Sequence, residues 1–158
     1  MTRTRLSLIS VLILLLSACS QPRPSMSWVD QDVTAHDASI LAADVVTHLS
    51  NYLPPARTTL ILDHPAPDPN NILTETIVGS LRGSGYGVTV VDQKSGDQKS
   101  SKRPNKGTPL HYLVSQLDSG ILLRLQYLET EATKFYPRTR EGELSSDAVP
   151  FTLRGAQQ

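Results

Sequence analysis

Four histidines, His36, His48, His64 and His111, are the side chains here best suited to metal binding or proton transfer. None stands in an HxxxH or HxH spacing, which would place two imidazoles on one face of a helix or strand. Cys19 is the single cysteine, so no thiolate cluster can complete a site. Serines are plentiful, yet none lies in the GxSxG elbow that exposes a nucleophile. Glu129 and Glu131 would share one face of a strand, but without a pocket they make only a charged face. Gly83-Ser84-Gly85-Tyr86-Gly87 has the glycines of a phosphate loop in the wrong context. A dinucleotide loop follows a strand and opens a helix, whose N-terminus faces the phosphate. Here the glycines follow a predicted helix and open a strand, so carbonyls at a helix C-terminus would face the anion. The residue pattern therefore predicts no enzyme, no metal and no cofactor.

A basic cluster remains. Lys94, Lys99, Lys102, Arg103 and Lys106 lie in a stretch without a large apolar residue, with Asp97 among them. Five cations could touch an anionic head group or polymer. The stretch has no aromatic side chain to stack on bases, and the net charge of the whole chain is +0. Specific nucleic-acid binding is not expected. Residues 93–107 read as a mobile, solvated loop.

The cysteine has a different chemistry. Arg3 and Arg5 precede an apolar run, Leu6 to Leu16, too short for the ~20 residues that cross a bilayer. Leu16-Ser17-Ala18-Cys19 closes it. This tetrapeptide resembles the bacterial lipobox. The resemblance implies diacylglycerol on the Cys19 sulfur and cleavage between Ala18 and Cys19, followed by acylation of the new amine. Residues 1–18 are then a lipoprotein signal peptide, and the covalent lipid on Cys19 anchors the chain to a membrane. One acyl chain anchors marginally, at about 0.8 kcal/mol per buried CH₂, and two or three anchor firmly. In enteric-type lipoproteins, which this start resembles, an aspartate after the cysteine marks inner-membrane retention; by that resemblance Ser20 implies the outer membrane with the domain facing the periplasm, and the inner membrane stays open.

The elements behind these residues follow from pattern. Residues 19–35 read as the lipidated N-terminus and a flexible tether, with Pro22 and Pro24 in it. Trp28 near its end suits packing on its own domain, a membrane interface or a partner. His36 to Leu53 predicts a helix with Asp37 as N-cap, Asp44 on the polar side, and an apolar stripe of Ile40, Leu41, Val45, Leu49 and Tyr52. Pro54-Pro55 ends it. Thr58 to Leu62 predicts a strand, and Asn70 caps a second helix to about Arg82. Tyr86 to Asp92 predicts the strand that completes a βαβ unit. His48 is expected at the surface or half-buried.

Leu110–Leu117 and Ile121–Leu128 read as a hairpin around Asp118-Ser119-Gly120, the glycine serving the turn. Thr130–Pro137 and Val149–Arg154 form a second pair around Glu141-Gly142-Glu143. The fold class is α+β, a two-layer arrangement with two helices packed on one face of a small mixed sheet. One globular periplasmic domain spans 36–154, and 155–158 are a tail.

The segments ILAADVVTHLSNYLPP, TTLIL, ILTETIVGSLRGSGYGVTVVD, GTPLHYLVSQLDSGILLRLQY and PFTLRG, after the lipobox, resemble the TrbH family, small lipoproteins of plasmid conjugal transfer (Trb) regions. The resemblance runs over most of the chain after Cys19. It implies a non-enzymatic structural or assembly component of the mating-pair formation apparatus, a type IV secretion system. Its partners would be other envelope proteins of that apparatus and, through the lipid, the membrane. Cys19 alone carries over as a functional residue. Two other readings stand beside it: an exclusion lipoprotein acting from the recipient side, and a periplasmic module that binds cell wall or a small ligand.

Overall fold

The computed structural model describes residues 26–66, 68, 70–91, 106–145 and 149–155. Helix α1 spans Ala35–Ser50 and helix α2 spans Ile72–Gly83. The strands are β1 (Trp28–Val29), β2 (Thr59–Asp63), β3 (Gly87–Val91), β4 (Thr108–Leu117), β5 (Gly120–Tyr127), β6 (Thr130–Pro137) and β7 (Thr152–Gly155). They form one mixed sheet of seven strands, ordered β3-β2-β4-β5-β6-β7, with β1 also paired to β4. β2, α2 and β3 make the expected βαβ unit, pairing in parallel from Thr59↔Gly87 to Asp63↔Val91. The expected α+β class is what the chain adopts, with both helices against the same sheet face.

The cap of α1 sits earlier than the sequence suggests. Thr34 is the N-cap: its hydroxyl accepts from the Asp37 N–H at 3.1 Å, and Asp37 accepts from the Thr34 N–H at 3.2 Å. Asp37 is thus the reciprocal partner at N3 of a capping box, not the cap itself. The second helix is capped by Asn71 rather than Asn70, its side-chain oxygen accepting from the Thr74 N–H at 2.9 Å. At the far end, Gly85 takes a left-handed φ of 90°. There the Gly85 N–H donates to Arg82 O and the Tyr86 N–H to Leu81 O, at 3.0 and 3.1 Å. These are the two bonds of a Schellman closure, so the glycines end a helix and open a strand.

Leu41, Val45 and Leu49 of α1 and Leu73, Ile77 and Leu81 of α2 meet Leu60, Leu62, Leu110, Tyr112, Val114, Leu123 and Leu125 in one core. Each such aliphatic side chain contributes about 1.5–3 kcal/mol on burial. Tyr52, counted in the predicted stripe, lies past the helix end and is 51% exposed.

Polar links add direction to this packing. Thr74 and Tyr112 hydroxyls meet at 2.7 Å, His48 Nε2 and the Tyr127 hydroxyl at 2.9 Å, and Asp44 takes bonds from Lys134 and Tyr136. His48 is therefore buried, beyond the surface or half-buried position expected of it, and Asp44 faces the sheet instead of solvent. The apolar stripe hid this because the sheet supplies a partner for each polar group.

Two further expectations change. The β4–β5 turn is Asp118-Ser119, and Gly120 opens β5. A Cβ on Gly120 would collide with the Tyr136 carbonyl oxygen, so the glycine permits close strand approach rather than a turn. β1 falls inside the stretch predicted as a tether. It lies between β4 and Ala66: the Val29 N–H donates to Ala66 O, the Ala66 N–H to Ser27 O, and the Asp30 N–H to Val114 O, at 3.0, 3.0 and 3.1 Å. Bonding on both sides fixes a strand too short for its own pattern to reveal.

Candidate functional site

The helices leave one sheet face uncovered, and alternation decides what stands on it. In β4, Leu110, Tyr112 and Val114 point to the core while His111, Leu113 and Ser115 take the opposite face. β5 presents Leu122, Arg124 and Gln126, and β6 presents Glu131, Thr133 and Phe135. Two-residue turns fix the register, so these residues align in rows across the strands.

One row runs His111↔Gln126↔Glu131↔Arg154. Asp63 of β2 extends it, with Oδ2 3.6 Å from His111 Nδ1. Gln126 Nε2 donates to Glu131 Oε2 at 3.4 Å, and Arg124 Nε lies 3.5 Å from Glu131 Oε1. The next row is Leu113↔Arg124↔Thr133↔Thr152, and beyond it Ser115↔Leu122↔Phe135. The face thus grades from charged at one end to apolar at the other. An open groove of about 500 Å³ lies over the charged row, bordered by Met26, Leu128 and Arg154. Half-exposed pairs such as Arg124–Glu131 contribute only about 0–1 kcal/mol to stability. The row's charge pattern is thus more informative about recognition than about folding.

A second polar cluster lies on the helix side. The His48 ring stands 4.3 Å from that of Phe151, 5.1 Å from Tyr52 and 5.8 Å from Tyr127, centroid to centroid. Burial holds the His48 pKa below its ordinary 6.5. Burial, with Tyr52 nearby, pushes Tyr127 up to about 12. Tyr136 is raised further by burial, by the Asp44 charge and by its bond to Asp44. Lys134 Nζ lies 4.8 Å from the centre of the Tyr136 ring. A cleft of about 290 Å³ opens beside these groups. The cluster fastens α1 to β5 and β6, and Tyr127 and Tyr136 stay protonated at neutral pH.

Of the residues singled out by sequence, Ala18, Cys19, Lys94, Lys99, Lys102 and Arg103 lie outside the described residues. So do the predicted signal peptide, residues 19–25 of the predicted tether and nearly all of the predicted basic loop. Lys106 is described and exposed, two residues before β4. Glu129 and Glu131 do not share a strand face, because Leu128-Glu129 is the β5–β6 turn. His36 and His48 are in α1, His64 follows β2 and His111 is in β4. Among the described residues, no three of His, Cys, Asp and Glu gather into a metal site. Sequence reasoning missed the charged row. The alternation in LHYLVSQL, ILLRLQYL and TEATKFYP held its members, but only the register brings residues 63, 111, 126, 131 and 154 together.

No helix among the described residues is long and apolar enough to cross a membrane. Residues 20–151 match the model of a family described as conjugal transfer protein TrbH. No curated protein and no solved structure matches the chain.

Proposed function

The chain belongs to the TrbH family of conjugal transfer proteins, and on that premise we propose that it is an outer-membrane lipoprotein with a structural, non-enzymatic role in the mating-pair apparatus. Cys19 carries the lipid, and the domain faces the periplasm. The anchor confines the domain to a thin layer at the membrane. Confinement raises its effective concentration toward other envelope components, so modest contacts suffice to hold an assembly.

The observation that carries this reading, beyond the family, is the two-layer fold with one face left uncovered. That face carries a graded pattern of charge and apolar side chains suited to a protein partner. The edge strands β3 and β7 offer a second mode, strand addition to a partner's sheet.

Metabolic labelling with a fatty-acid analogue tests the reading, comparing wild type with Cys19→Ala and scoring conjugation in the same strains. Label and transfer lost together support an anchored assembly role in donor cells. Label lost with transfer intact makes the anchor dispensable. Loss of transfer seen on expression in recipients alone would instead identify an exclusion function.

The groove over the charged row favours one alternative, a module that binds cell wall or a small ligand. Retention of the full chain on isolated peptidoglycan, abolished by Arg154→Glu, is the result that would establish it.

A further inference from the structure

Leu128 occupies the first position of the two-residue β5–β6 turn with φ 52° and is 67% exposed. Two-residue hairpin turns favour glycine, asparagine or aspartate at such positions, because a side chain with Cβ is strained there. A large apolar side chain is thus held in a strained conformation at an exposed tip. No burial within the domain offsets that strain.

Two other large apolar residues are exposed on the side where the chain enters the sheet. Met26 is 58% exposed and borders the same groove as Leu128. Trp28 is 46% exposed and pairs with Leu113, so it stands on the uncovered face. Both lie where the chain arrives from Cys19. Cys19 and Met26 are separated by seven residue steps, a span of at most about 25 Å when fully extended. The lipid therefore cannot be far from these side chains.

We propose that Met26, Trp28 and Leu128 form a bilayer-contacting edge that rests in the headgroup region of the membrane holding the Cys19 lipid. This rests on the lipid-anchor reading above. Tryptophan is enriched at membrane–water interfaces, where its ring is apolar and its N–H stays wet. Exposed apolar side chains on a docking surface bury into the headgroup–acyl boundary. The groove between Met26 and Leu128 carries both signs of charge, in Glu129 and Glu131 against Arg154. That pairing matches a zwitterionic headgroup, whose phosphate would meet Arg154 and whose ammonium would meet Glu131. The domain would then sit down on the bilayer in one orientation instead of swinging on its tether, with lipid over the charged end of the uncovered face and the apolar Leu122–Phe135 end and the edges β3 and β7 left to protein partners.

Trp28 is the sole tryptophan of the chain, so its fluorescence reports this contact without ambiguity. The mature protein, purified from membranes, is reconstituted into phosphatidylethanolamine–phosphatidylglycerol vesicles with and without brominated acyl chains. Mass spectrometry of the N-terminal peptide establishes whether Cys19 is lipidated. The expected result is a lipidated peptide, a blue-shifted emission and at least twofold quenching of Trp28 by brominated lipid. The double variant Met26→Gln/Leu128→Asn should remain folded, since asparagine suits the turn, and should lose most of the quenching.

A lipidated protein that floats with vesicles while Trp28 stays unquenched overturns the docking and leaves the anchor intact. An unlipidated Cys19 overturns the anchor and the docking with it. Unchanged quenching in the folded double variant overturns the role of these residues. Shielding of Trp28 that depends on protein concentration and not on lipid would place a second copy there, and also overturns the proposal.

Discussion

Arg138 holds Asp37 by two parallel bonds, Nη2 to Oδ2 at 2.9 Å and Nη1 to Oδ1 at 3.3 Å. The pair ties the first turn of α1 to the end of β6, and Asp37 also completes the capping box of that helix. Burial alone would raise the Asp37 pKa. The bonds from Arg138 and Thr34, with the Arg138 charge, outweigh burial and hold it below the ordinary 3.8. A depressed carboxylate contributes stability that is present above the unfolded pKa and lost as pH falls through the folded one. We expect Arg138→Ala to cost about 2–3 kcal/mol, because it strands a buried carboxylate. Urea denaturation at pH 7 measures this. Below pH 3.8, Asp37→Asn should lose less stability than wild type as acid is added.

His48 gives the opposite end of the pH scale. It is buried and its pKa lies below 6.5, so the unfolded chain binds its proton more readily than the folded one. Stability should therefore fall as pH drops from 6.5 toward the folded pKa, and recover as pH rises. His48→Gln can still bond the Tyr127 hydroxyl but cannot titrate. The variant should show a flatter urea midpoint between pH 7.5 and pH 5.5 than wild type; equal slopes would remove His48 as the cause.

Two glycine-to-alanine substitutions should move stability in opposite directions. In Gly120→Ala the new methyl collides with backbone of β6, and the β5–β6 register must shift to admit it. A loss of about 1–3 kcal/mol is expected. Gly79 lies on the exposed side of α2 with nothing within 4 Å of an added Cβ. Gly79→Ala should stabilise by about 0.4–1 kcal/mol, chiefly by restricting the unfolded chain. Thermal melts of both variants check the pair.

On the uncovered face, Arg124→Glu reverses one charge and sets it against Glu131. Both side chains are substantially exposed, so the melting temperature should change little. Conjugation frequency should fall at least tenfold if this face receives the partner. A folded variant with wild-type transfer would move the partner surface to the sheet edges.

Much of the architecture was legible because alternation and helical spacing are local signals. β6 has the predicted bounds, β2 and β5 are each displaced by one residue, and β3 opens one residue late at Gly87, its predicted last residue Asp92 lying outside the described residues. The caps shifted because Thr34 and Asp37, or Asn70 and Asn71, are equally good capping types, and only backbone geometry separates them. β1 was not legible: two residues have no period, and its bonds come from Ala66 and Val114, far along the chain. The roles of Asp44 and Lys134 were hidden for a related reason. A charged residue reads as solvent-facing until its partner on another element is known. The charged row of the candidate site combines both difficulties, since its five members lie on five strands.

The position of β1 has a mechanical consequence. A load applied through the residues before Met26 enters the sheet at a strand bonded on both flanks, with Ser27 and Val29 gripping Ala66 and Asp30 gripping Val114. Tension along the strand axis strains these bonds together, in shear, rather than peeling them one after another. Under such tension the domain would behave as a load-bearing coupling whose grip lies inside the fold.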